Sequence, residues 1–105
     1  MAARDSSRVF AALGDPTRLR LLAKLGEGNG SSIASLTAGS KLTRQAITKH
    51  LGVLRKAGLI RGRRRGRERL FALQPAALDR ARRSLDDISR QWDEALVRLK
   101  ALAER

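Results

Sequence analysis

Apolar positions along the chain recur mostly three and four residues apart, the helical period, and that pattern gives way to another between Leu59 and Leu73. Val9, Phe10 and Leu13 form the first such set. They follow Asp5-Ser6-Ser7, residues suited to N-caps, and precede Gly14, so they predict a short helix. Asp15-Pro16 then opens a second helix, because Asp caps free amides and Pro fits the first turn. Its apolar side is expected to carry Leu19, Leu22 and Leu25, with Leu21 alongside, and Gly26-Glu27-Gly28-Asn29-Gly30 to end it in a turn. Ser31 or Ser32 caps a brief third helix that buries Ile33 and Leu36.

After a turn through Gly39, Thr43 supplies the cap for a helix running to about Ala57. Ile47, Leu51 and Leu54 share its inward stripe, and Gln45, Lys49, Gly52 and Lys56 lie opposite. Gly58 stops it. Leu59 to Arg65 and Glu68 to Leu73 read as two short strands with Gly66-Arg67 at the hairpin tip. Pro75 begins a helix expected to reach Glu104, roughly 29 residues and ~43 Å long. Along it Leu78, Ala81, Leu85, Ile88, Trp92, Ala95, Leu99 and Leu102 keep a 3-4-3-4 spacing, an a/d seam over nearly four heptads.

Charge adds a location to this outline. The 105 residues carry 23 Lys and Arg against 10 Asp and Glu, a formal net charge of +13. Residues 1 to 36 contribute +2, residues 37 to 73 contribute +10, and residues 74 to 105 contribute +1. An excess concentrated on one predicted helix and one predicted hairpin points to a polyanionic partner rather than to general solubility. Three short helices, a hairpin and a terminal helix is the order of a winged helix-turn-helix, mainly α with a two-stranded β-hairpin wing. The expected organisation is one domain over residues 1–105, with a DNA-binding core and wing at 6–73 and a C-terminal dimerisation helix at 75–104.

The reading helix of such a fold needs an apolar back and, near its N-terminus, side chains that reach base edges and phosphates. Thr43, Arg44, Gln45, Thr48 and Lys49 occupy those positions. Arg bonds both acceptors of guanine and Gln both groups of adenine, each pairing worth roughly 1–3 kcal/mol of discrimination. Thr48 suits a phosphate or a thymine methyl. His50 lies between the apolar stripe and the basic edge, so it reads first as a hydrogen-bonding edge residue and second as a DNA contact. Gly52 costs on the order of 1 kcal/mol relative to Ala in mid-helix; close approach of the DNA backbone and a simply tolerated small residue explain it equally well. Arg63, Arg64, Arg65 and Arg67 place the wing on phosphates, with insertion of one Arg into a narrow minor groove as the sharper alternative.

The seam of the last helix is too long to be covered by its own domain. A domain of about 75 residues has a radius of gyration near 11–12 Å, so a ~43 Å helix projects beyond it. A second copy would bury Leu85, Ile88, Trp92 and Leu99, with Val9, Phe10 and Leu13 completing the interface. A two-fold dimer presents two reading helices to successive major grooves and so favours a palindromic site.

At this point the residues resemble the ArsR/SmtB-type bacterial transcriptional repressors over nearly the whole chain. Phe10-Ala-Ala-Leu-Gly-Asp-Pro-Thr-Arg-Leu-Arg-Leu-Leu resembles the family's opening, and Leu42-Thr-Arg-Gln-Ala-Ile-Thr-Lys-His-Leu its recognition helix. Ala57-Gly-Leu-Ile, the Arg-rich hairpin and Leu70-Phe-Ala-Leu are similar to its wing. The resemblance implies a homodimeric repressor joined through its first and last helices, with Arg44, Gln45 and Thr48 reading DNA and Lys49 and the wing on phosphates. Many members sense metals or oxidants through Cys or His clusters. This chain has no Cys and one His, so it resembles the cysteine-free members. Release by a small molecule at the dimer interface, by a protein effector, or by nothing beyond changing protein level are three alternatives among which the residues do not choose.

Other classes are weaker fits. Without Cys there is no disulfide framework or thiolate metal site, and one His does not supply paired imidazoles, so no metal or other cofactor is expected. No phosphate-binding Gly pattern and no nucleophile partner for His50 supports an enzyme. No apolar run approaches the ~18–20 residues of a membrane span, and the opening residues lack a secretory h-region; the expectation is a cytoplasmic protein without membrane contact. Two readings stay beside the sequence-specific repressor: a nonspecific nucleoid-type binder, from the basic segment alone, and a protein-interaction module acting through the heptad helix.

Overall fold

Capping decides where the helices begin in the computed structural model, which describes residues 2–28 and 30–104 and the side chains of residues 7–28 and 30–104. Asp15 is extended and its carboxylate accepts the Arg18 N–H, opening α2 (Pro16–Leu25) with Pro in its first turn. The Ser32 hydroxyl accepts the Ser35 N–H and opens α3 (Ile33–Thr37). Thr43 does the same for the Ala46 N–H and opens α4 (Arg44–Lys56). The first helix departs from expectation. As α1 it spans Ala2–Leu13, so Asp5-Ser6-Ser7 lie inside it and do not cap it. Asn29, expected in the turn after α2, lies outside the described residues, as do Met1 and Arg105.

Gly58 carries the chain from α4 into the sheet with a φ of +78°, the left-handed conformation that a residue with a Cβ adopts at a cost. Strand β2 (Ile60–Arg65) then pairs antiparallel with β3 (Glu68–Leu73), in a register running from Ile60 opposite Leu73 to Arg65 opposite Glu68. Gly66, with a φ of +62°, takes the first of two loop positions, where a tight hairpin turn prefers glycine. A third strand goes beyond the expected hairpin. Ser31–Ser32 forms a two-residue β1 along the other edge of β3, giving the order β1-β3-β2. Two serines carry no strand signal; β3 supplies the pairing that makes them one.

Leu25, Leu36, Ile47, Leu51, Leu54, Leu59 and Ile60 form the fully buried centre, contributed by all three middle helices and the start of the hairpin. Each such side chain favours folding by roughly 1.5–3 kcal/mol. Leu19 is not among them. It is 50 % exposed, because the buried stripe of α2 is centred on Leu21, Leu22 and Leu25 and the 100° step carries Leu19 past its edge. Val9 is a second correction: at 2 % exposure it closes into the core of its own chain and not onto a pairing face. Phe10 and Leu13 are partly buried against the same core.

The last helix, α5 (Pro75–Ala103), divides in two. Near its start Ala77 and Ala81 are buried in one core with Val9 and Ala12 of α1, the helix on which α5 packs. From Leu85 onward the large apolar residues stand in solvent, Trp92 at 65 % exposure. The Cα radius of gyration is 18.2 Å, against about 13 Å for a compact chain of this length. The principal extents of 68 × 28 × 21 Å show the same projection.

Candidate nucleic-acid interface

Burying Ile47, Leu51 and Leu54 turns the opposite side of α4 outward, and that rotation exposes Arg44, Gln45, Thr48 and Lys49 together. No acidic residue lies in the first turn of α4, so the partial positive charge of its N-terminus is not neutralised there, and Arg44 adds to it. Such an arrangement is unfavourable for an isolated helix and favourable beside phosphate. Thr43 is exposed, but its oxygen is engaged as the cap, accepting the Ala46 N–H at 3.1 Å. Thr48 donates its hydroxyl proton to the Arg44 carbonyl at 2.7 Å, so in this conformation it offers a partner its methyl and its oxygen lone pairs.

His50, the next residue inward, is held differently. Its Nδ1 lies 3.4 Å from Nη1 of Arg18 and 4.0 Å from Oδ2 of Asp15. Arg18 also donates from Nε to the Ala12 carbonyl at 2.6 Å and from Nη2 to the Ala11 carbonyl at 3.4 Å. One guanidinium therefore links the end of α1, the start of α2 and the middle of α4. Because Arg18 only donates, Nδ1 is the accepting nitrogen of this contact. The backbone N–H of Arg18 on Asp15, foremost, and the charge of the Arg18 guanidinium hold that carboxyl below its ordinary value against the opposing effect of desolvation. The edge hydrogen bond is thus the contact His50 makes in the free chain.

Strand register sorts the wing arginines. Arg61, Arg63 and Arg65 alternate with Gly62 and Arg64, so the three share one face and Arg64 lies on the other, with Phe71 and Arg69. Gly62 leaves room for the buried Phe71 ring: a Cβ there would come within 3.2 Å of its Cε1 and 3.3 Å of Nε of Arg69. Arg64 stands directly opposite Arg69, a like-charge cross-strand pair that weakens the hairpin. Arg64, Arg67 and Arg69, with Glu68, line a shallow depression at the tip. Arginines placed against the interest of folding are readily understood where an anion offsets their repulsion. Arg69 is one of the six arginines of the predicted hairpin, with Arg61 and the four named above as wing contacts; the strand register is what sets it opposite Arg64. The spacing from Asp15 places only the backbone N–H of Arg18 on the cap; the contacts of its guanidinium to α1 and α4 have no signal in the sequence.

Among the described residues no group of three or more His, Cys, Asp or Glu is placed to hold a metal ion, and no helix is long and apolar enough to cross a membrane. A family model described as a helix-turn-helix domain matches residues 13–63, from the end of α1 into the wing. An uncharacterized HTH-type transcriptional regulator of Bacillus subtilis, YuzN, is 43 % identical over 73 residues, covering 64 % of this chain and 79 % of that one. The HTH-type transcriptional regulator Rv2034 of Mycobacterium tuberculosis is 33 % identical over 94 residues, covering 90 % of this chain and 84 % of that one. The solved structure of an ArsR-like transcriptional regulator from Rhodococcus sp. RHA1 superimposes with a TM-score of 0.85 at 37 % identity, covering 96 % of this chain and 94 % of that one. The helices, the wing and these likenesses agree that the chain belongs to the ArsR family of winged helix-turn-helix regulators and is a DNA-binding transcriptional regulator.

Proposed function

We propose that the protein is a homodimeric, sequence-specific repressor that occupies a palindromic operator. In this reading Arg44, Gln45 and Thr48 face base edges, Lys49 meets the backbone, and Arg63, Arg64, Arg65 and Arg67 bring the wing onto phosphates or into the adjacent minor groove. The observation that carries the dimer is the seam of α5: Leu85, Ile88, Trp92, Leu99 and Leu102 are each at least 46 % exposed on a helix that leaves its own domain. A contiguous apolar stripe of that length in water marks an association surface. A second copy buries it with the same stripe, and two-fold symmetry sets the two reading helices on inverted half-sites.

Selection of bound fragments from a random duplex pool tests the whole reading at once. The expected product is a pair of inverted half-sites with centres one or more helical turns apart, roughly 10–10.5 base pairs per turn. Binding to that site should exceed binding to random duplex by about a thousandfold or more at matched salt. The +10 charge of residues 37–73 favours the rival reading, a nonspecific binder, and a ratio near one would establish it instead.

A further inference from the structure

A cavity of about 420 Å³ opens between α2 and the turn that leads from α3 into α4. Its floor is apolar and includes Leu21, Leu36 and Ile47, all part of the buried core. Its rim is cationic. Arg20 and Lys24 stand one helical turn apart on α2, Lys41 approaches from the turn, and no acidic residue is among those lining the cavity. Nη2 of Arg20 lies 3.4 Å from Oγ1 of Thr17, another lining residue, which steadies the guanidinium at the rim. The volume falls in the range of roughly 300–1,000 Å³ typical of small-molecule sites.

This combination selects one ligand chemistry. A bare inorganic anion would meet only the cationic rim, and a neutral hydrocarbon would meet only the apolar floor. A carboxylate on a short aliphatic or aromatic body meets both. We propose that this cavity binds such a carboxylate as an effector. One wall is α2 and the other is the turn ending at Thr43, so an occupant bears on how the α4 N-terminus, with Arg44 and Gln45, is presented. That consequence rests on the DNA-reading role proposed above; the binding does not.

The test uses the full chain with octanoate as probe, 1-octanol as its neutral counterpart and inorganic phosphate as an anion without an apolar body. In a ¹⁵N-amide titration octanoate should shift residues of the cavity, Leu21, Ser40, Leu42 and Ile47 among them, and should bind about tenfold tighter than either control. The exposed pair Arg20→Ala/Lys41→Ala, with an unchanged circular dichroism spectrum, should weaken octanoate about tenfold and leave octanol unaffected. Saturating octanoate should change affinity for the selected operator severalfold in the parent and not in the double variant. Equal binding of octanoate and octanol, or shifts confined to other surfaces, would overturn the site. Binding with no change in operator affinity would overturn the effector role. A double variant that loses DNA affinity while octanoate never binds would assign these cations to the DNA backbone and overturn the proposal. If no operator is selected, the repressor reading fails while the titration still decides the cavity.

Discussion

At the scale of single residues, folding and DNA binding make different demands on α4. Thr43 is in the first place a cap, so Thr43→Ala should destabilise the protein by about 1 kcal/mol, seen as a melting temperature lower by about 4–8 °C. Gly52 is the converse case. A Cβ at Gly52 meets nothing within 4 Å, so packing within the chain does not require glycine there. Gly52→Ala should raise stability by about 1 kcal/mol and at the same time lower DNA affinity; an unchanged affinity would leave it a tolerated small residue. Asp15 ties stability to pH. Its carboxyl is held below the ordinary value, so its contribution is complete above the unfolded-state pKa near 3.8 and is lost as pH falls through the lower folded value. Asp15→Asn keeps a capping oxygen without the charge, and urea unfolding at about pH 5 and about pH 3 should show a weaker pH dependence than the parent.

At the scale of elements, the reading helix and the wing should separate under substitution. Arg44→Ala with Gln45→Ala removes base-edge contacts and should relax sequence preference at the positions they face. Arg63, Arg64 and Arg65 replaced together by Ala should weaken all duplexes alike and make the slope of log K against log salt shallower by about 0.9 for each phosphate that is no longer neutralised. Identical behaviour of the two sets in a binding-site selection would refute the division. The same elements show what was legible. The cap of α4, its Ile47-Leu51-Leu54 stripe and the Gly66-Arg67 tip are local signals, and each is found where the spacing puts it. Strand β1 and the true start of α1 are not local. Ser31–Ser32 is a strand because β3 has a free edge beside it, and the caps offered by Asp5-Ser6-Ser7 are overridden by a helix that begins at Ala2.

At the scale of the whole molecule, the projecting α5 is the feature that a single chain does not explain. If a second copy covers it, the parent should sediment as a dimer at micromolar concentration. Trp92→Glu should give a monomer with an intact core, since Trp92 is 65 % exposed and lies outside the buried core. Its operator affinity should fall steeply, because one half-site is held without the other. A parent that stays monomeric would favour instead a different protein partner for the heptad face.

By itself the sequence determined the order of the helices and the hairpin, the basic segment and the seam of α5, because capping, helical period and charge are carried by residues near one another in the chain. Only the tertiary structure decided which apolar residues are free. Val9 and Trp92 look alike as members of apolar stripes, yet Val9 is closed into the core and Trp92 stands in water, because burial depends on which elements meet. The tertiary structure likewise joined Arg18 to His50, set Arg64 against Arg69, and gathered Arg20, Lys24 and Lys41 around one cavity. Those contacts cross between elements, and no spacing along the chain encodes the distance between them.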